Sequence, residues 1–235
     1  MAIEKIVNPL ISVIIPVYNG EKHLKQAIES VLNQGHDFIE IIVINDGSFD
    51  KSHEIINSFK GKIRAYSQIN SGVASSRNLG ISKARGLFIT FLDQDDYYPL
   101  GRFNNFLKTY RKSKELIFIG HTQYIFEDEN AKLRWPNLPK NNITFVKLLG
   151  ASIFHKTVFT DYGLFIPELQ SGDDIEWFYR LKQSGEEINK SDDVVLYYRQ
   201  HSSNVSADKK QVDKYLLSSL KYILDAKKNI PNNKN

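Results

Sequence analysis

The chain has 235 residues, 41% apolar and 25% charged, with a formal net charge of +4 and no cysteine. These proportions suit a folded protein with a sizeable core and exclude fibrous or wholly disordered chains; the missing thiols exclude disulfides, thiolate metal sites and a cysteine nucleophile, as suits a reducing compartment. No apolar stretch reaches membrane-spanning length and Met1–Lys5 lacks the pattern of a secretory signal, so a cytoplasmic protein with no nucleic-acid partner is expected.

Ile11-Ser12-Val13-Ile14-Ile15-Pro16 is short and β-branched, which predicts a buried strand that Pro16 ends. From Glu21 onward, Leu24, Ala27, Ile28, Val31 and Leu32 recur on one helical face, with Asn19 as cap and Gly35 beyond the end. Ile39 to Ile44 predicts a second strand halting at Asn45-Asp46-Gly47-Ser48, followed by a short helix through Ile55, Ile56 and Phe59. Ile63 to Ser67 reads as a third strand, and Asn70-Ser71-Gly72 opens a helix that closes at Gly86. The apolar run Leu87 to Leu92 then breaks abruptly into Asp93-Gln94-Asp95-Asp96.

Strands alternating with helices imply an α/β fold: a Rossmann-like, mainly parallel sheet flanked by helices, whose ligands gather at the carboxyl ends of the strands. That rule puts Pro16 to Asn19, Asn45 to Ser48 and Asp93 to Asp96 on one rim. The second half is less regular, with Arg102 to Tyr110 helical, Leu116 to Phe126 extended, and Trp135-Pro136-Asn137-Leu138-Pro139 a loop. Ser171-Gly172-Asp173-Asp174 precedes a helix with Ile175, Phe178 and Leu181 inward, and Val194 to Tyr198 returns as a strand. Val212, Leu216, Leu220 and Ile223 share one face of a final helix, which packs on the body, on a second copy as a homodimer, or against a membrane as a peripheral contact. The lysines there, Lys209, Lys210, Lys214, Lys221, Lys227, Lys228 and Lys234, read either as a solvated helix end or as a contact for anionic headgroups. Without a repeat or clear linker, residues 1–235 form one domain: a binding half at about 10–96, a second half at 97–206 and a helical tail at 207–235.

Asp93, Asp95 and Asp96 present three carboxylates at one strand end. Crowded like charges call for a cation, and hard oxygen ligands suit Mg²⁺ or Mn²⁺ carrying a phosphorylated substrate; the alternative is an acidic turn that merely stops a strand. With no thiolate available, any metal here uses oxygen or imidazole.

Val13-Ile14-Ile15-Pro16-Val17-Tyr18-Asn19, Asn45-Asp46-Gly47-Ser48, Gly72 to Arg77-Asn78, Asp93-Gln94-Asp95-Asp96 and Gly172-Asp173-Asp174 occur in this order. In that order they resemble bacterial family-2 glycosyltransferases of the GT-A fold, over about residues 10 to 206. The resemblance implies an inverting hexosyl- or N-acetylhexosaminyltransferase. It would use a nucleotide-sugar donor, a UDP-sugar, and a hydroxyl of a glycan or lipid-linked acceptor, in bacterial surface polysaccharide or lipooligosaccharide synthesis, at the inner face of the membrane.

Carried over residue by residue, the resemblance makes Asp95 the direct metal ligand, brings Asp93 to the ribose or the ion, and leaves Asp96 to orient the loop or touch the sugar. Gln94 stands where a small residue is common and contributes mainly backbone. Asp46 accepts from a uracil N–H, Tyr18 stacks on the base and Pro16 shapes its slot, or else these two are a partly exposed tyrosine and a turn proline, and Val17, Asn19 and Glu21 belong to the same donor segment. Asn45 replaces a second aspartate, keeping an acceptor oxygen without the charge. Arg77 points toward the donor or else clamps Asp93 or Asp46. Asp174 is the general base and Asp173 supports it on the acceptor side, one of the pair also capping the helix. Trp177 offers a face to an acceptor sugar or packs in the core. In Tyr198-Arg199-Gln200-His201, His201 is a further metal ligand and Arg199 meets the phosphates. Two rivals stand beside this reading: a nucleotidyltransferase, for which no Gly-rich triphosphate loop is visible near the first strand, and a non-catalytic sugar-nucleotide-binding module, against which Asp95 and Asp174 argue.

Overall fold

The computed structural model describes residues 11–110, 115–169, 172–202, 204 and 209–228; Met1–Lys5, Ser171 and Lys234, named above, lie outside them. All seven residues of β1 (Ile11–Val17) are buried, as in a strand covered on both faces. It lies between β2 (Ile39–Asn45) and β4 (Phe88–Phe91), both parallel to it, and β2 pairs in parallel with β3 (Arg64–Ser67). Pro16 does not end β1. The register with β4 stops at Ile14 opposite Phe91, so the missing N–H of Pro16 falls beyond the part of β1 that pairs on both sides.

Helices α1 (Leu24–Leu32), α2 (Ser52–Ser58) and α3 (Val73–Lys83) connect these strands. The apolar face of α1 is buried as its spacing predicts, but the helix begins after His23, and Asn19 does not cap it. Asn19 instead takes a left-handed conformation (φ 51°), and its side chain accepts the Phe49 N–H. A Cβ on Gly80 would lie 2.3 Å from Ile14 Cγ2, so α3 crosses β1 at a separation that only glycine permits.

After α4 (Asn104–Thr109), the sheet continues through β5 (Ile117–Phe126), β6 (Ile143–Thr144), β7 (Ser152–His155) and β8 (Ile188–Gln200), in the order β3-β2-β1-β4-β7-β5-β6 with β8 parallel to β5. β7 runs antiparallel to β4 and β5, and β6 antiparallel to β5, which gives a mixed but mainly parallel sheet. Between β5 and β7 also lies α5 (Glu129–Leu133), and α6 (Thr157–Asp161) follows β7.

The apolar centre of the second half is aromatic. Trp177 of α7 (Asp173–Ser184) is fully buried, with ring centroids 4.9 Å from both Phe154 and Phe159, and its indole N–H donates to Gly163 O. The sugar-platform reading of Trp177 is therefore corrected to core packing, because no face of the ring is exposed. Ile175, expected inward, is exposed; Trp177, Phe178 and Leu181 form the inward stripe. The stripe of α8 (Lys209–Lys228) is shifted likewise: Ser219 and Ile223 are buried while Leu216 and Leu220 are exposed. Ser219 Oγ donates to Gly172 O at 3.1 Å, and a Cβ on Gly172 would lie 2.4 Å from that oxygen, so α8 docks on the start of α7 where there is no side chain. Among the described residues, no helix is long and apolar enough to cross a membrane.

Candidate active site

The turn after β4 is held from four directions. Asp93 Oδ1 accepts from Arg77 Nη2 at 3.0 Å. Gln94 forms a two-point pair with the Tyr18 backbone, accepting its N–H at 2.9 Å and donating to its carbonyl at 3.0 Å. Asp95 Oδ2 lies 3.2 Å from His201 Nε2 and accepts from Asn204 Nδ2 at 3.2 Å. Asp96, nearly fully buried, accepts the Arg199 backbone N–H at 2.8 Å. Burial, opposed by Arg77 and reinforced by Asp95, pushes the Asp93 carboxyl above its ordinary range, and burial reinforced by Asp95 and Asp93 pushes that of Asp96 well above it. A cation would relieve that crowding, which is the physical content of the metal expectation.

Gln94 departs from the mainly backbone role expected of it. Its amide fits over Gly20, where a Cβ would meet Gln94 Oε1 at 2.4 Å, and it ties the end of β1 to the acid turn. The rest of that β1 loop is stitched to residues 48–52. Ser48 Oγ accepts the Asn19 N–H, Ser52 Oγ the Gly20 N–H and Asp50 the Glu21 N–H, while Glu21 accepts from Lys51. Asn19 and Glu21 thus spend their side chains holding this loop. Tyr18 is 43% exposed beside Phe49, 82% exposed, with ring centroids 6.1 Å apart.

The Asp46 carboxylate accepts three hydrogen bonds, from Gln68 Nε2 (2.7 Å), the Ser71 N–H (2.9 Å) and the Gly72 N–H (2.9 Å). A carboxylate offers about four acceptor positions, so a nucleobase N–H would share a group that already shapes the entry to α3. Asn45 Oδ1 accepts the Ser48 N–H, work for which the neutral amide suffices.

Arg77 is buried, and its fork makes the clamp, one of the two roles the sequence left open for it. One arm takes Asp93 and the other takes Asp173 Oδ2 at 2.8 Å, joining the acid turn to the start of α7; Asp46 is not a partner. Asp173 is 2% exposed, which leaves it no surface to offer an acceptor. Its neighbour Asp174 is partly exposed and accepts the Ile175 N–H. Burial, aided by the adjacent Asp173 and opposed by Arg77, pushes the Asp174 carboxyl up to about 6. The arrangement supplies, in Asp174, a carboxylate able to take and release a proton near neutral pH, next in sequence to Asp173, which one guanidinium ties to a crowded acidic turn.

Arg199, expected on the phosphates, is buried and turned inward: Nε donates to Asp95 O at 2.7 Å and Nη1 to Glu127 at 3.3 Å, with the guanidinium 5.0 Å from the Tyr97 ring. His201 is also buried, and His23 stacks on it with centroids 5.1 Å apart. Sequence context singled out neither His23 nor Asn204 and Glu127, which long-range folding brings to this corner. Among the described residues, no group of three or more His, Cys, Asp or Glu is arranged to hold a metal. Asp95 and His201 converge at 3.2 Å, a carboxylate oxygen facing an imidazole nitrogen.

A mainly parallel α/β sheet flanked by helices, with an acid turn at one strand end, has the GT-A fold of glycosyltransferases. The chain belongs to Glycosyl transferase family 2, whose sequence model matches residues 12–165. This membership removes the nucleotidyltransferase alternative. An uncharacterized glycosyltransferase of Haemophilus influenzae is 52% identical over 93 residues, 38% of this chain and 37% of that protein. One from Rickettsia felis is 32% identical over 84% of this chain and 35% of its own length, and the hyaluronan synthase of Pasteurella multocida is 29% identical over 88% and 22%. The chain thus spans little more than a third of the first two relatives. In structure it resembles S. aureus TarS 1-349 in complex with UDP (TM-score 0.65, 21% identity, 82% of this chain and 61% of that one) and in complex with UDP-GlcNAc (0.65, 20%, 83% and 59%). At that identity the likeness speaks to the fold.

Proposed function

We propose that the protein transfers a sugar from a UDP-sugar to a hydroxyl of a glycan or lipid-linked acceptor, with inversion at the anomeric carbon. The observation that carries this reading is the Arg77 bridge, which sets the Asp173–Asp174 pair against the acid turn while Asp174 holds a carboxyl raised to about 6. The acceptor oxygen attacks the anomeric carbon, its proton passes to Asp174, and the bond to the diphosphate oxygen breaks, so the nucleotide leaves with the electron pair. Asp95 and His201 would hold Mn²⁺ or Mg²⁺, which when bound neutralises charge gathering on the departing phosphates. Tyr18 and Asp46 form the nucleobase side. A surface-glycan role rests on the family habit noted above, and the UDP and UDP-GlcNAc complexes of TarS support a uridine donor.

The test is a thermal-shift series with UDP, GDP and UDP-sugars, with and without Mn²⁺, since a ligand bound only by the native state raises the melting temperature by mass action. UDP with Mn²⁺ should raise it more than either alone, and Asp95→Ala should abolish the metal-dependent part. Absence of a shift with every nucleotide would remove the donor assignment. A silent binding module would show the shift yet release no sugar from any UDP-sugar.

A further inference from the structure

Helix α8 has no work in the transfer described above, and its charge is unlike that of the rest of the chain. Its twenty residues hold six lysines against two aspartates, an excess of four that equals the formal +4 of the entire protein; everything outside this helix is balanced. Its buried face is narrow, with Ser219 and Ile223 facing the body. Beside that face Leu216, Leu217, Leu220 and Leu224 remain exposed, Leu217 by 66%. At 100° per residue these four leucines form one strip, and the exposed Lys210, Lys214 and Lys221 line its outer edge.

We propose that this strip is a docking surface for an anionic lipid bilayer, the leucines entering the boundary of the acyl chains and the lysines meeting headgroup phosphates. A helix with leucines on one side and lysines along their border lies in a membrane interface, and each lysine near an anionic surface adds to the attraction. Asp213 lies in the strip within a turn of both Lys210 and Lys214, and Asp225 borders its lysine edge one turn after Lys221, so the lysines remain in excess. A second copy fits the surface less well. An isologous contact would set one basic helix against its own duplicate, whereas anionic headgroups supply the opposite charge. The contact also has a place in the molecule: α8 docks on Gly172, the residue before Asp173 and Asp174, so a bilayer beneath α8 would lie beside the base helix. The lipid surface stands on the charge and exposure of α8 alone; its consequence, delivery of an acceptor carried in the membrane, rests on the glycosyltransferase reading.

The experiment is co-sedimentation of the full chain with vesicles of phosphatidylcholine alone and of phosphatidylcholine mixed with phosphatidylglycerol, at low and high salt. Binding should require the anionic lipid and weaken with salt. The triple variant Lys210→Gln, Lys214→Gln, Lys221→Gln should bind on the order of 100-fold more weakly, about fivefold for each lysine removed. The pair Leu217→Ser and Leu224→Ser should lose binding at low salt too, with an unchanged melting temperature and an unchanged shift with UDP and Mn²⁺. Equal binding to both vesicle types, no binding to either, or full retention in the leucine variant overturns the proposal. So does a dimer by light scattering that Leu217→Ser dissociates. Failure of the UDP shift alongside intact vesicle binding would instead remove the enzymatic reading and leave the surface standing.

Discussion

Arg77 and Asp173 meet at 2.8 Å across 96 residues of sequence, both side chains withdrawn from water. Because the other arm of the same guanidinium holds Asp93, one cation fixes the distance between the turn after β4 and the start of α7. Removing one partner of a buried pair leaves the other charge uncompensated, which typically costs about 3–5 kcal/mol. Arg77→Ala should therefore lower unfolding free energy by about that amount in a urea titration. Arg77→Lys, lacking the fork, should keep the fold and hold only one of the two carboxylates, lowering transfer more than UDP binding. A loss below about 1 kcal/mol for Arg77→Ala, as for a surface pair, would show that the bridge does not brace the site.

Asp174 links proton uptake to stability in a direction that can be read. Folded, its carboxyl keeps a proton up to about pH 6; unfolded, it releases it near the ordinary value of about 3.9. Between those values the native state binds more protons than the unfolded one, so this group makes stability fall as pH rises from about 4 to 6, with no further change above. Asp174→Asn retains an oxygen for the Ile175 N–H and never ionises. It should be more stable than the parent by about 1–3 kcal/mol at neutral pH, with the gap closing at pH 4. Transfer should drop by about 10²–10⁴-fold, and transfer by the parent should rise with pH through about 6. Near-normal turnover in the variant would remove Asp174 from the mechanism.

Gln94 joins the Tyr18 backbone to the acid turn; with the nucleobase proposed on the Tyr18 side and the metal on the Asp95 side, its loss should be felt only by a ligand that spans both. Uridine alone reports on the first, pyrophosphate with Mn²⁺ on the second, and UDP with Mn²⁺ on the two together. In Gln94→Ala, the two hydrogen bonds to Tyr18 disappear. With a net hydrogen bond contributing about 0.5–1.5 kcal/mol, UDP affinity should fall by about tenfold while the two fragments change by less than about twofold. Equal losses for all three ligands in calorimetric titrations would mean that the side chain only supports the fold.

The first half of the fold was legible in the sequence because β1, β2 and β4 are mostly apolar, α1 is periodic, and glycines mark the ends of α3: β1, β2 and β4 lie within a few residues of expectation, and so do the three rim segments. The misses have physical causes. Asn19 has the chemistry of a helix cap, yet tertiary hydrogen bonds from residues 48–52 claim the loop and move the start of α1 to Leu24. Residues Ile188 to Asp193 of β8 are mostly polar, so pattern alone found only the end of a thirteen-residue strand. β6, with two residues, is too short to show a period, and β7, Ser152-Ile153-Phe154-His155, lacks the longer apolar run that marks β4. In the site, the residue types were readable while their partners were not. The Arg77–Asp173, Gln94–Tyr18 and Asp95–His201 pairs each close only when the sheet forms.

Trp177 tests the boundary between site and core. It lies one turn along the helix that carries Asp174, where an indole face would suit a sugar ring, but Phe154, Phe159, Phe165 and Phe178 surround it, with Phe159 stacked at an interplanar angle of 18°. A buried aromatic removed without replacement costs about 3–5 kcal/mol, so Trp177→Ala should lose that much stability or fail to fold. Trp177→Phe keeps most of the ring and gives up the N–H bond to Gly163 O, for a smaller loss of about 1–3 kcal/mol. Its KM for the acceptor should stay within twofold of the parent, about 0.4 kcal/mol. A sugar platform would give the opposite signature in steady-state kinetics, a raised acceptor KM with little change in melting temperature, and that result would return Trp177 to the acceptor site.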